Sequence, residues 1–170
     1  IGVSQGTVIE YVAERLLTAE GLSQDEIKTV AVPKIPDRMS LLASGELQAG
    51  VLPDPLGALA VQSGAVIILD DSEYPEYGFS VISFRVEIID SNPEAIRAFL
   101  SAIEEAVALI NADPDQYTDL LSENKLVPTP LLESYKVPPF PPAGVPTEAE
   151  WEDALSWAQE KGMLEADVSY

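Results

Sequence analysis

Ile1-Gly2-Val3-Ser4-Gln5-Gly6-Thr7 leads straight into Val8-Ile9-Glu10-Tyr11-Val12-Ala13, and this junction decides the fold. An apolar start, a small polar glycine-containing turn and then helical spacing spell a strand–turn–helix corner. Such a corner aims backbone N–H groups and the positive end of the helix at whatever lies above the sheet. The helix is expected from about Thr7 to Glu20, with Val8, Ile9, Val12, Ala13, Leu16 and Leu17 as its apolar stripe. Thr7 and Glu10 are spaced as a capping box, which accounts for Glu10 without catalysis, and Gly21 is placed to end the helix.

Working outward, strand and helix signals alternate. Lys28 to Val32 is a β-branched strand closed by Pro33 and Pro36, and Asp37 is placed to cap a helix from Arg38 to Leu47 with Met39, Leu42 and Leu47 inward. Ala49 to Leu52 is a third strand, stopped by Pro53-Asp54-Pro55 and followed by a short helix, Leu56 to Ser63. Ala65 to Leu69 is a continuous apolar run suited to a strand buried on both faces. The pattern predicts an α/β fold with a doubly wound, mainly parallel sheet. After a polar loop, Asp70 to Gly78, a long strand is expected over Phe79 to Ile89. Asn92-Pro93 then starts the longest helix, with Ile96, Phe99, Leu100, Ile103, Val107 and Ile110 as its buried face. Asp113-Pro114 repeats the start signal for a helix reaching about Asn124.

Val127 to Pro146 gathers half of the chain's 14 prolines and reads as an extended strap; an SH3-type ligand is the other reading of such a segment. Thr147 and Glu150 form a second capping box for a last helix with Trp151, Ala154, Leu155 and Ala158 inward, ended by Gly162. The C-terminal part is therefore mostly helical.

Composition narrows the chemistry. With 29 acidic against 9 basic residues the formal charge is −20, which disfavours nucleic acid as a partner. There is no cysteine and no histidine, so disulfides, thiolate metal sites and the commonest general base are all missing, and no metal or cofactor is expected. No apolar run is long enough to span a bilayer. The chain opens mid-strand without methionine and reads as a fragment, so a missing leader says nothing about compartment.

Gly2-Val3-Ser4-Gln5-Gly6 also spells G-x-S-x-G, the nucleophile elbow. That machinery needs an acid and then a histidine downstream, and none follows Ser4; a serine–lysine pair would need Lys28, Lys34, Lys125, Lys136 or Lys161 buried beside it. No catalytic residue is assigned. The same corner can instead hold a ligand: hydroxyls of Ser4 and Thr7, the Gln5 side chain, and amides around Gly6, Thr7 and Val8 suit a polar or anionic group. Ligands of open α/β sheets lie beyond the carboxyl ends of the strands, which adds Pro53 and Asp54. Asp54 could receive an amine or ring nitrogen, or simply bond its own turn; Asp70 and Asp71 are weaker candidates of the same kind.

Three segments carry a resemblance. Ile1 to Thr7 resembles the "G-K-K-I-G-V-x-x-G-(S/T)" segment that opens the second lobe of type II solute-binding proteins. Leu42-Ala43-Ser44-Gly45-Glu46-Leu47-Gln48-Ala49-Gly50-Val51-Leu52-Pro53-Asp54-Pro55 is similar to their "L-x-x-G-x-(I/V)-D-A-x-x-x-x-x-P" segment, with Gln48 departing from the usual aspartate. Asn92-Pro93-Glu94-Ala95-Ile96-Arg97-Ala98-Phe99-Leu100 is similar to "N-P-E-x-V-R-x-F-L". The group resembled is the NMT1/THI5-like proteins of ABC importers, related to sulfonate, nitrate and thiamine-precursor binding. The resemblance implies a type II periplasmic-binding-protein lobe over residues 1–77, with residues 78–170 returning to complete the first lobe. It further implies a non-enzymatic, extracytoplasmic or lipid-anchored binding protein that closes on a small molecule and meets a permease. Either the helical C-terminal part docks differently, or another chain, in a dimer or swapped assembly, supplies the surface this portion lacks. Enzymes of pyrimidine-precursor or menaquinone type on the same fold, and ligand-sensing regulatory domains, are the alternatives.

Overall fold

The computed structural model describes residues 1–78, 80–166 and 168–170. The chain divides into two compact units, Ile1–Phe79 with Pro146–Tyr170, and Ser80–Val145.

In the first unit the opening corner forms as its sequence dictates. Strand β1 (Gly2–Val3) runs through the Ser4–Thr7 turn into helix α1 (Val8–Ala19), and strand β2 (Val30–Ala31) returns parallel to β1 with Gly2 opposite Val30. On the other side of β1, Gly50 makes a parallel bridge to Gly2, held by Gly2 N–H to Ala49 O at 2.9 Å and Val51 N–H to Gly2 O at 3.0 Å. The order is β2, β1, then the Gly50 segment, all parallel, with β1 central. A Cβ at Gly2 would stand 2.5 Å from Leu47 Cδ2, so the Leu47 side chain would have to shift to admit one. The result is a mixed α/β unit with a small sheet rather than a broad one.

Helix α2 spans Ile35–Ser44, beginning earlier than Asp37 would place it. Pro36 fills the first turn, where its missing N–H costs nothing, so Asp37 sits inside the helix instead of capping it. Gly45 ends α2 with φ of 77°, a left-handed turn that glycine adopts without a Cβ clash. Leu47 is buried as expected, but the most enclosed side chain on α2 is Arg38, at 0% exposure. Helix α3 (Leu56–Gln62) starts on the Pro53 carbonyl, which accepts from the Leu56 and Gly57 amides.

The expected fourth strand is absent: residues 65–69 have no regular structure, and Val66 and Ile68 are 78% and 81% exposed. An apolar run is a strand only when a neighbouring strand takes its amides; here the Ala65 amide turns back to Ala60 O at 3.0 Å, closing the end of α3, and among the described residues no strand pairs with the run.

The Thr147–Glu150 capping box is present in both directions and starts helix α7 (Glu148–Glu160). Its buried residue is Trp157, whereas Trp151 remains 37% exposed. α7 turns toward α1 with Ala154, Trp157 and Ala158. The buried face of α1 is offset from its apolar stripe. Tyr11, Ala13 and Leu16 are buried together with Glu10 and Glu14, while Val8 is 54% exposed.

The second unit is helical. Where a strand is expected over Phe79–Ile89, residues 80–85 are irregular and residues 86–91 form helix α4 (Val86–Ser91); Phe79 itself lies outside the described residues. Helix α5 (Pro93–Ala112) is the longest, as its start signal implies. Its apolar face is not a core, however: Phe99, Leu100 and Ile103 are each exposed, because the unit offers no sheet to cover them among the described residues. Phe99 instead meets Phe84 edge to face at 5.9 Å. A short 3₁₀ turn, Pro114–Tyr117, leads into helix α6 (Thr118–Glu123). The proline-rich segment includes a 3₁₀ turn over Thr129–Leu131, which buries Leu131, and is then tied to α5 where Asn111 exchanges hydrogen bonds with both backbone groups of Phe140 at 2.8 and 2.9 Å.

Candidate functional site

The parallel register leaves two turns at the same, carboxyl end of neighbouring strands. One is Ser4–Thr7 after β1; the other is Pro53–Pro55 after the Gly50 segment, with a cis bond between Asp54 and Pro55. Arg38 joins the two strand ends from below. Its Nη1 donates to Val51 O at 2.5 Å and its Nη2 to Ser4 Oγ at 2.8 Å. Burial pushes the guanidinium's pKa down from its usual value, though such a group stays charged at any physiological pH. Sequence reasoning missed Arg38. The signal available was a cation among Ile35, Leu41 and Leu42 on one helix in a chain with 9 basic residues.

Each expected site residue has a definite place. Ser4 is half-buried, and its hydroxyl donates to Pro33 O at 3.1 Å while accepting from Arg38. Its proton is therefore directed at a carbonyl, which is no base. Gln5 is exposed, with Nε2 3.5 Å from Thr29 Oγ1. Gly6, with φ of 67°, turns its amide to Glu10 Oε2 at 2.8 Å. Thr7 Oγ1 donates to Ser4 O at 2.6 Å and accepts from the Ile9 amide at 3.2 Å.

The capping box at Thr7 thus differs from its expected form. Glu10 N–H bonds the Thr7 carbonyl at 3.0 Å, so Thr7 Oγ1 takes the Ile9 amide, and the Glu10 carboxylate reaches one residue further back, to Gly6. Glu10 Oε1 also accepts from Thr29 Oγ1 at 3.1 Å. A carboxylate of the chain itself therefore occupies part of the positive helix end. The Thr7 and Val8 amides meet no acceptor among the described residues. Pro53 is half-buried and Asp54 exposed at the mouth of the second turn.

Behind the corner lies a polar cluster that bridges α1 and α7. Glu14 Oε2 accepts from Trp157 Nε1 at 2.8 Å, and Glu14 Oε1 accepts from Lys161 Nζ at 2.5 Å, with Glu10 Oε1 3.7 Å from the same ammonium. Asp153 Oδ2 receives both Arg15 Nε and the Tyr11 hydroxyl at 2.7 Å. Desolvation, with the adjacent Asp153 carboxylate, pushes the Tyr11 hydroxyl's pKa well above its usual value. Among the described residues no group of acidic side chains is arranged to hold a metal, and no helix is long and apolar enough to cross a membrane.

The family model described as the NMT1-like family matches residues 1–122. Proteins named "Putative binding protein" in Brucella abortus, Brucella suis and Brucella melitensis are each 28% identical to the chain over 138 residues, which is 79% of this chain and 43% of the relative. The chain thus spans less than half the length of these relatives. No solved structure matches it. With the family model covering well over half of its residues, the chain belongs to the NMT1-like family.

Proposed function

We propose that the chain is part of the extracytoplasmic substrate-binding component of an ABC importer, in which the β1–α1 corner holds one side of a small polar or anionic molecule. The observation that carries this reading is the pair of unclaimed amides, Thr7 and Val8, at the carboxyl end of a parallel strand in a member of the NMT1-like family. The names of the relatives support a binding role. Residues 1–77 would be the second lobe and residues 78–170 the segment returning toward the first, with Asp54 and Pro53 as this lobe's second contact. The lobes would hinge shut on the ligand, and the closed form would be the one a membrane permease recognises. Binding and release, without a covalent step, fit a serine whose proton is spent on a carbonyl.

The test replaces an amide instead of a side chain. Val8 is the first residue of α1, and Thr7 before it is extended (φ −131°, ψ 172°), so Val8→Pro is compatible with the backbone and deletes one donor. A ligand would be found by thermal-shift screening of the full-length protein, since any ligand of the native state raises the melting temperature. Val8→Pro is expected to weaken it by about tenfold, the worth of one charge-assisted hydrogen bond. Unchanged affinity in a variant that melts like the parent would remove the corner from the site.

A further inference from the structure

Beside α1, within the first unit, lies a half-open pocket of about 210 Å³ lined by Val8, Tyr11, Tyr77, Ala154, Trp157 and Ala158. Its wall is almost wholly apolar. Tyr11 stands edge-on to both other aromatics, 5.4 Å from Trp157 at 75° and 6.3 Å from Tyr77 at 82°. The polar tips of two of these rings are engaged by carboxylates: Tyr11 donates to Asp153 and Trp157 donates to Glu14. A ring whose O–H or N–H donates to an anion gains electron density on its π face, which strengthens its attraction for a cation.

The molecule already uses these rings in that way. Arg15 Cζ lies 5.5 Å from the Tyr11 centroid and Lys161 Nζ lies 5.7 Å from that of Trp157. The charge balance nevertheless remains negative. Glu10, Glu14 and Asp153 face Lys161 and Arg15, leaving one carboxylate charge in excess. The segment that carries Tyr77 adds Asp70, Asp71, Glu73 and Glu76, with no basic residue from 70 to 78.

We propose that this pocket seats a small organic monocation of the quaternary-ammonium type, against the aromatic surfaces of Tyr11, Tyr77 and Trp157. The apolar wall selects the class of cation. A primary ammonium would bring three N–H donors to a surface that offers them no acceptor, a cost of desolvation without compensation. A quaternary ammonium has no N–H to satisfy and spreads its charge over methyl groups that pack on aromatic rings. This site goes beyond the amide site at the α1 start: Val8 borders both, with its side chain on the pocket and its amide at the helix end, but the aromatic contacts do not involve that amide.

The test is titration calorimetry of the full-length protein with three probes: choline, its uncharged isostere of equal size 3,3-dimethyl-1-butanol, and the smaller primary amine ethanolamine. Choline is expected to bind saturably, with the other two at least about tenfold weaker. Tyr77→Ala should weaken choline by about tenfold while Tyr77→Phe keeps it, because the ring and not the hydroxyl makes the contact. Asp54→Asn should leave choline binding unchanged, so that failure of the strand-end site and failure of this one are told apart. Equal binding of the uncharged isostere would reduce the pocket to a plain apolar hollow. Equal binding of ethanolamine would assign the effect to diffuse attraction by an acidic surface. Absence of saturable choline binding would overturn the proposal outright.

Discussion

Arg38 Nη2 donates a 2.8 Å hydrogen bond to Ser4 Oγ from a helix 34 residues further along the chain. The same guanidinium reaches Val51 O, so one fully buried cation fastens the ends of two neighbouring strands. Its Nε has no hydrogen-bond partner among the described residues. Replacing Arg38 with alanine should destabilise the protein by roughly 2–4 kcal/mol, from a cavity plus the Val51 carbonyl left unbonded. Arg38→Met refills the volume and should cost less, about 1–3 kcal/mol. Urea denaturation measures both; an Arg38→Met variant more stable than the parent would show that the buried cation is only a desolvation burden.

Tyr11 provides a pH signature. Its folded pKa is raised, first by burial and then by Asp153, above the ordinary 10.0. The stability it contributes is therefore complete below pH 10.0 and declines as pH climbs from there through the higher folded value. Alkaline melts of the parent should fall more steeply above pH 10.0 than those of Tyr11→Phe. Parallel curves would mean that the hydroxyl ionises as freely in the folded protein as in the unfolded one.

Thr147 caps α7, and Thr147→Ala should cost about 1 kcal/mol by thermal or urea melting. Its partner Glu150 has a pKa lowered by the Thr147 amide and then the Thr147 hydroxyl. A lowered carboxylate stabilises above its ordinary value of 4.5, and that stabilisation disappears as pH falls through the folded value. Glu150→Gln should accordingly lose its difference from the parent in strong acid; a difference that persists there would place the effect in packing.

Glu14 serves two donors, Trp157 Nε1 and Lys161 Nζ. Glu14→Gln keeps an acceptor for the indole but removes the charge beside Lys161, and should cost about 1–2 kcal/mol. Glu14→Leu removes both and should cost roughly 3–5 kcal/mol, since a partly buried ammonium is then left with only the more distant Glu10. Equal losses for the two variants would mean that the ion pair, not the indole bond, carries all of the effect.

What the sequence revealed, and what it hid, divides by range. The start of α1, its end at Gly21, the Asn92-Pro93 start of α5 and the Thr147 capping box are local signals, each settled within four residues, and all are present. The burial of Glu10 and Glu14 on α1 was not legible, because Lys161 and Trp157, which make it tolerable, come from more than 140 residues away. The same holds for Arg38, whose partners Ser4 and Val51 belong to two different strand ends. Ala65 to Leu69 and the segment through Ile89 read as strands from composition alone, yet strand formation depends on neighbours that periodicity cannot supply. At the opening turn, the spelling suggested where a ligand would meet the chain. Only the geometry separated the Gly6 amide, already held by Glu10, from those of Thr7 and Val8.

The central claim is that those two amides hold the ligand. Amide chemical shifts of the full-length protein, recorded while adding the compound that most raises its melting temperature, test it most directly. The account predicts that Thr7 and Val8 show the largest downfield shifts and the slowest hydrogen exchange on saturation. Saturation that leaves both unmoved while amides elsewhere shift would contradict it.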